Sequence, residues 1–158
     1  LDRAAVLMAW EQLGIADKAL EQACDYAQQR YAFGRAIGSF QAIKHKLAGM
    51  YVKNALARSN AYHGAWALAS DSDTLPLAAS TARVASIQAS LNAAQENIQT
   101  HGGMGFTWEF GCQFYYRLAK LLSLAIGSER RWQDRLVSAV EQQDPAAARA
   151  YGEQDHGL

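Results

Sequence analysis

Apolar side chains recur every three or four residues through most of this chain, and no stretch of β-branched residues alternates as a strand would. That spacing is the signature of amphipathic helices. Val6, Trp10, Leu13, Leu20, Cys24, Ala27 and Tyr31 form a first stripe, with Ala16 standing in where Asp17 interrupts it. The first helix is predicted to end near Phe33-Gly34, with Gly34 and Gly38 bracketing a short turn. Ser39 is the predicted N-cap of a second helix of about thirty residues, striped by Phe40, Ile43, Leu47, Met50, Ala57, Ala61 and Leu68. Asp71-Ser72-Asp73-Thr74 reads as the next loop, and Pro76 suits the first turn of a third helix. Val84, Ile87, Leu91, Ala94 and Ile98 stripe that helix, and Gly102, Gly103 and Gly105 stop it. A fourth helix is predicted over about 109–125 and a fifth over about 128–142, ended by Asp144-Pro145.

Alanine makes up about a fifth of the 158 residues and there are only two prolines, which favours long helices with few interruptions. Three long antiparallel helices and a broken fourth give an all-α fold, an up-and-down four-helix bundle with an extra C-terminal helix. The bundle is expected over 1–142, with a flexible tail over 143–158. The chain opens inside a helix at Leu1-Asp2-Arg3-Ala4-Ala5, which reads as the C-terminal part of a longer protein.

Fifteen basic residues balance fifteen acidic ones. Nucleic-acid binding needs clustered Lys and Arg, and the densest group, Arg130, Arg131 and Arg135, is interleaved with Glu129 and Asp134. A mean hydropathy of −0.20 and the lack of a long uncharged apolar run argue against a membrane span. Cys24 and Cys112 form neither a disulfide framework nor a metal spacing, so a reducing, cytoplasmic setting is expected. A bundle can hold a di-metal site through Glu-x-x-His pairs, but the single match is Glu153–His156 in the tail, and no metal site is predicted.

Two glycine-punctuated turns are more informative. In Arg30-Tyr31-Ala32-Phe33-Gly34-Arg35-Ala36-Ile37-Gly38-Ser39-Phe40-Gln41, a cation, an aromatic ring and an amide gather around one turn. Guanidinium for pyrophosphate, ring for a flat base and amide for polar edges would suit a nucleotide. The plainer account makes Arg30 a complement to the helix dipole, Phe33 a core plug and Gln41 a solvated first-turn residue. In Gln99-Thr100-His101-Gly102-Gly103-Met104-Gly105-Phe106, three glycines in four positions exceed what one helix stop needs. Missing side chains let another backbone or a ligand approach closely.

Arg30-x-x-Phe33-Gly34-x-x-Ile37-Gly38-x-x-Gln41 and Gln99-x-x-Gly102-Gly103-x-Gly105-Phe106, with Arg117-x-Ala119-Lys120 beyond, resemble the C-terminal domain of the acyl-CoA dehydrogenase family over about residues 1–140. These are flavoproteins that remove two hydrogens from an acyl-CoA and leave a trans-2-enoyl-CoA. The resemblance implies an N-terminal helical domain and a middle β-domain outside this chain. It implies FAD as cofactor, an acyl-CoA substrate, an electron-transfer acceptor protein, and a homologous subunit in a homo- or hetero-tetramer. Arg30, Phe33 and Gln41 would touch the pyrophosphate and adenine end of an FAD held mainly by the neighbouring subunit, and Gln99 and Gly103 would line the same cofactor. Gly127-Ser128 would match the family's Gly-Thr near the flavin of this chain's own site.

The catalytic base departs from the family. Most members place a Glu directly before the Gly-Thr, and that position here is Ile126. A minority carry the base at the start of the first long helix, and that position here is Ala4. The neighbouring Arg, a CoA contact in relatives, is Ala5. Asp2 and Glu129 are the nearest carboxylates. The expectation is a base-lacking subunit of a heteromeric acyl-CoA dehydrogenase, an arrangement associated in this family with bulky substrates such as steroid side chains. The alternatives are a homomeric enzyme with its base elsewhere, or a non-catalytic structural bundle. The aromatics Phe106, Trp108, Phe110, Phe114, Tyr115 and Tyr116 exceed what one short helix can bury, and several are expected at a subunit interface.

Overall fold

A computed structural model describes residues 1–143. The chain forms α1 (Asp2–Gln29), a two-residue antiparallel hairpin of β1 (Tyr31–Ala32) and β2 (Arg35–Ala36), and α2 (Gln41–Ala69). It continues through α3 (Leu75–His101), α4 (Cys112–Leu124) and α5 (Glu129–Gln143). Short 3-10 turns cover Ile37–Ser39 and Gly102–Phe106. The expected all-α bundle is what is observed. The Asp144-Pro145 stop, the tail, and Glu153 with His156 lie outside the described residues.

The first three helices pack through alanine. On α1, Ala5, Ala9, Ala16, Ala19, Ala23 and Ala27 are all buried, and Ala16 does replace Asp17 in the stripe. Such small side chains bring helix axes close, so packing here depends on backbone proximity more than on large interlocking groups. The helix α3 touches α1, α2, α4 and α5 and is buried on most of its circumference. Several of its polar residues inside the bundle are paired: Gln12 Nε2 donates to Ser90 Oγ at 3.3 Å, and Asn97 Nδ2 donates to Gln22 Oε1 at 2.7 Å.

Local chemistry shifts three boundaries. The helix α1 stops at Gln29, four residues earlier than the glycines suggest, because Arg30 turns extended (φ −84°, ψ 125°) and starts the hairpin. Its strands are too short to register as alternation. Phe40, rather than Ser39, occupies the N-cap of α2, and Ser39 Oγ donates instead to Ala36 O at 2.7 Å. The helix α4 begins at Cys112 rather than near 109, since Gly111 adopts a left-handed φ of 64° just before it. The Asp71–Thr74 loop, Pro76 in the first turn of α3, and the glycine stop after His101 stand as expected.

Candidate functional site

Two places collect the residues singled out by sequence, and they differ in character. The first lies where α1 and α3 both end. The Arg30 N–H donates to Tyr26 O at 2.9 Å, and Arg30 O accepts from the Ile37 N–H at 2.8 Å. The backbone of Arg30 is thus pinned while its side chain stays exposed. Tyr26, Arg30, Ile37, Gln99, Gly102 and Gly103 line one open cleft of about 350 Å³. Nothing lies within 4 Å of where a Cβ on Gly102 or Gly103 would sit, so the peptide plane there faces open space. Gly105 is the opposite case: a Cβ would sit 2.7 Å from Ile98 O, so only glycine lets this turn fold onto α3. The structure therefore brings Arg30, Gln99 and Gly103 together.

The wall of the cleft is aromatic. His101 is 4% exposed and stacks on Tyr26 at 4.0 Å, with Phe110 at 5.2 Å from its ring. Its Nδ1 lies 2.9 Å from Asn97 O. Burial lowers the pKa of His101, and the Asn97 carbonyl opposes that only in part. His101 is thus scaffold, holding Tyr26 and the end of α3 in place.

Phe33 and Gln41 do not line the cleft. Phe33 and Gly34, at φ 53° and 79°, form the two-residue hairpin turn. An aromatic residue in the left-handed region is strained. Its ring is 97% exposed, which overturns the core-plug alternative. Phe40 sits 6.3 Å from it edge-on, with the Arg35 guanidinium 4.0 Å over the Phe40 ring. Gln41 is exposed on the first turn of α2.

The second place is the corner between α4 and α5. Gly127 has φ 115°, and a Cβ there would lie 2.9 Å from Arg131 Cδ. Ser128 caps α5: its Oγ accepts from the Arg131 N–H at 3.4 Å. Ile126 packs against a cluster of Ala5, Val6, Ala79, Ile87 and Trp132. Ile126 and Ala5 thus belong to one apolar neighbourhood although 121 positions separate them in sequence. Ala4 is exposed beside them. Neither nearby carboxylate enters this cluster. Asp2 Oδ1 accepts from Arg135 Nη2 at 2.5 Å, and Glu129 Oε1 accepts from Gln88 at 2.7 Å and Gln133 at 3.0 Å.

Sequence reasoning missed Arg83. It is fully buried on α3 and donates to Gln12 Oε1 and to Leu122 O in the last turn of α4. Desolvation lowers its pKa to about 10, which leaves it charged at neutral pH. No carboxylate pairs with it among the described residues. The carbonyl end of α4 takes that part instead, so Arg83 fixes the approach to the corner. The signal was its register: position 83 continues the inward row of Ile87, Ser90, Ala94 and Asn97.

The two places are apart. Glu129 bonds Gln88, and from Gln88 to Gln99 α3 climbs eleven residues, about 16 Å at 1.5 Å per residue.

The family model for the acyl-CoA dehydrogenase C-terminal domain matches residues 1–140. The chain belongs to the acyl-CoA dehydrogenase family. It is 41% identical over 139 residues to the acyl-CoA dehydrogenase IpdE2 of Mycobacterium tuberculosis, covering 88% of this chain and 42% of that protein. Among solved structures, the Tcur3481-Tcur3483 steroid ACAD superposes with a TM-score of 0.87 at 27% identity, over 92% of this chain and 40% of that one. The ChsE4-ChsE5 complex of Mycobacterium tuberculosis superposes with a TM-score of 0.83 at 26% identity, over 90% and 38%. The chain spans about two fifths of the length of IpdE2. No helix among the described residues is long and apolar enough to cross a membrane.

Proposed function

We propose that this chain is the C-terminal helical part of an FAD-dependent acyl-CoA dehydrogenase, in the role of the subunit that lends cofactor contacts and lacks the base. The observation that carries this is the corner at Gly127. Ile126 packs on the apolar cluster that holds Ala5, Ala4 is exposed beside it, and Asp2 and Glu129 are bonded elsewhere. The chemistry needs a carboxylate to take a weakly acidic α-proton. The positions where relatives keep it hold an alkyl chain and a methyl group.

The cleft at the other end fits a flavin dinucleotide's diphosphate end. Arg30 offers an exposed cation, Gln99 an amide, and Gly102-Gly103 an unshielded backbone. At about 350 Å³ and open, the cleft holds an edge of such a molecule and leaves the rest to a second chain. When bound, FAD supplies the acceptor for the hydride that leaves the β-carbon. Arg30 would neutralise diphosphate charge, Gln99 and the Gly103 backbone would bond its oxygens, and Phe33 and Gln41, outside the cleft, would serve the adenine end. Gly127 and Ser128 serve the separate flavin of this chain's own corner. The exposed side chains of Phe106 (73%) and Trp108 (75%) fit contact with further subunits. The substrate would be an acyl-CoA, steroid-derived or fatty, with electrons leaving to an acceptor protein. Both cysteines are free thiols, in keeping with a reducing cytoplasm.

The test is purification of the full-length protein alone and with a homologous acyl-CoA dehydrogenase subunit encoded beside it. The flavin spectrum should appear only in the pair, and turnover only there. Residues 1–158 alone should be helical and flavin-free. Flavin and robust turnover in the full-length chain alone would overturn the base-lacking role.

A further inference from the structure

The hairpin that carries Phe33 is firm at its base and weakly joined at its tip. At the base, the Ile37 N–H donates to Arg30 O at 2.8 Å and the Phe40 N–H to Ile37 O at 3.1 Å. A Cβ on Gly38 would lie 3.0 Å from Ala27 O, so the turn between the hairpin and α2 lies directly on α1. Towards the tip only Tyr31 with Ala36 and Ala32 with Arg35 pair across the strands. A lone two-stranded ribbon is marginal by itself. Yet this one carries an aromatic residue at φ 53° with its ring almost wholly in solvent. Core packing does not hold that ring, and the left-handed backbone works against its placement.

Arg35 stands in an unfavourable place for a cation. It lies against Phe40, the N-cap of α2, and the first turn of α2 has no acidic residue. The N-terminal end of a helix carries partial positive charge, which repels a guanidinium. No carboxylate lies within 4 Å of Arg35 among the described residues. What compensates is the Phe40 ring, whose centroid is 4.0 Å from Arg35 Cζ. The negative face of an aromatic ring attracts a cation. Phe40 in turn meets Phe33 at 6.3 Å with the ring planes 82° apart, the edge-to-face arrangement that aromatic pairs favour. The middle member of this row is fixed by its backbone, because Phe40 O accepts from the N–H groups of Ile43 and Lys44, each at 3.1 Å.

We propose that Arg35 is a positioning residue for the cofactor: its guanidinium clamps the Phe40 ring, and the clamped ring holds Phe33 in the orientation offered to the adenine end. The proposal rests on the cofactor reading above and adds to it a residue that itself touches no ligand. A Phe33 ring free to turn would have to be ordered when the cofactor binds, and affinity would fall by that much. The size of the effect separates this role from a direct contact. A cation over an exposed ring is equivalent to about two- to fivefold in an equilibrium. A cation touching a diphosphate, the role given to Arg30, is equivalent to roughly tenfold or more.

Flavin affinity is measured for the full-length protein assembled with its partner, as wild type and as Arg35→Met, Arg35→Lys, Phe40→Leu and Phe33→Ala. Arg35→Met should weaken flavin binding about two- to fivefold. Arg35→Lys keeps a cation over the ring and should restore most of the loss, and Phe40→Leu should match the Met variant. Added to Phe33→Ala, Arg35→Met should change nothing further, because the ring it steers is gone. The side chain of Arg35 is exposed, so its variants should melt with the wild type. A fluorine label on the Phe33 ring gives a readout without flavin in the partner-free full-length chain. Its resonance should move towards the free amino-acid position in Arg35→Met and return in Arg35→Lys. An Arg35→Met enzyme with wild-type flavin affinity would overturn the proposal, whether or not the fluorine signal moved. So would an Arg35→Met loss that is as large in the Phe33→Ala background as in wild type, since Arg35 would then be a direct contact. Unchanged flavin affinity in Phe33→Ala would instead remove the cofactor role of Phe33 itself, and the proposal with it. The two failures are thus told apart by which variant is silent.

Discussion

The C-terminal end of α3 and the corner packed against its middle differ in character. At the C-terminal end, Arg30, Gln99 and the Gly102-Gly103 backbone face an open cleft, and none of them contributes to the core. At the Gly127 corner, Ile126, Ala5, Val6, Ile87 and Trp132 close into apolar packing. An open polar end with no structural duty needs a ligand or partner to explain its composition. A closed apolar corner explains itself by stability. In the role proposed above, the contrast would separate binding from chemistry within one domain: this chain would keep the groups that hold a cofactor edge, with an alkyl side chain in the place of the group that moves a proton.

The harshest test of that contrast is Ile126→Glu in the full-length protein with its partner. If the corner keeps its shape, a carboxylate directly before Gly127-Ser128 should raise desaturation in this chain's own site by at most about 10²–10⁴-fold, the range of a positioned base. Recovery should stay partial, because Ala5 stands where the family resemblance implies a CoA-contacting Arg. Burying a carboxylate beside Trp132 should lower stability by several kcal/mol unless its pKa rises. Stopped-flow flavin reduction and urea unfolding measure the two effects. An unchanged urea midpoint would show that the corner is wet and open, contrary to its packing.

Trp132→Ala attacks the same corner from beneath. The side chain is fully buried, so its removal should destabilise the domain by about 3–5 kcal/mol. The expected cofactor behaviour distinguishes the ends. Flavin lent to the partner through Arg30 should survive in the fraction that remains folded, because the cleft lies some 16 Å up α3 by helical rise. Equal loss of both would show the two ends to be one cooperative unit.

Arg30→Ala is the complementary variant. A charge-assisted contact with a diphosphate contributes about 1.5–3 kcal/mol, so flavin retention by the assembled enzyme should weaken roughly tenfold or more. The melting temperature should change little, because the side chain is exposed. Loss of stability with unchanged flavin affinity would return Arg30 to the role of a helix-dipole complement. Phe33→Asn sharpens the point at a smaller scale. Asparagine tolerates the left-handed backbone better, so the domain should gain about 1 kcal/mol while the assembled enzyme loses flavin affinity.

Sequence made some of this legible and hid the rest for physical reasons. Helix identity and order were readable because apolar spacing and the Asp71–Thr74 and Gly102–Gly105 breaks are long-range signals. The hairpin was not, since two-residue strands have no period to detect and the glycines at 34 and 38 look like a plain helix stop. The pairing of Arg30 with Gln99 and Gly103 came from motif order, and the structure supplies the cleft that unites them. The apolar cluster that Ile126 and Ala5 share was invisible in the residue pattern, because neither residue carries a chemical mark. Arg83 went unread because a cation in an apolar row looks like a surface interruption until the carbonyl end of α4 is seen against it.

The smallest expected effect separates scaffold from ligand contact inside the cleft. His101 is buried against Tyr26 and Phe110, and its folded pKa lies below the ordinary histidine value of about 6.5. In the window between those two values the unfolded chain binds more protons than the folded one. Stability therefore rises with pH through that window, and it falls as the solution is acidified below the ordinary value. Below the folded pKa the penalty is complete and the slope levels off. His101→Asn removes the titrating group, so the variant should lose this part of the acid sensitivity while starting from a lower stability at neutral pH. Urea midpoints at neutral and mildly acidic pH, taken for both proteins, measure it. The cofactor affinity of the assembled enzyme should follow the fold rather than the proton. If instead flavin release tracked His101 protonation while the urea midpoints stayed flat, the imidazole would be a contact of the cleft and not its wall. The division between a binding end and a packed corner would then need redrawing.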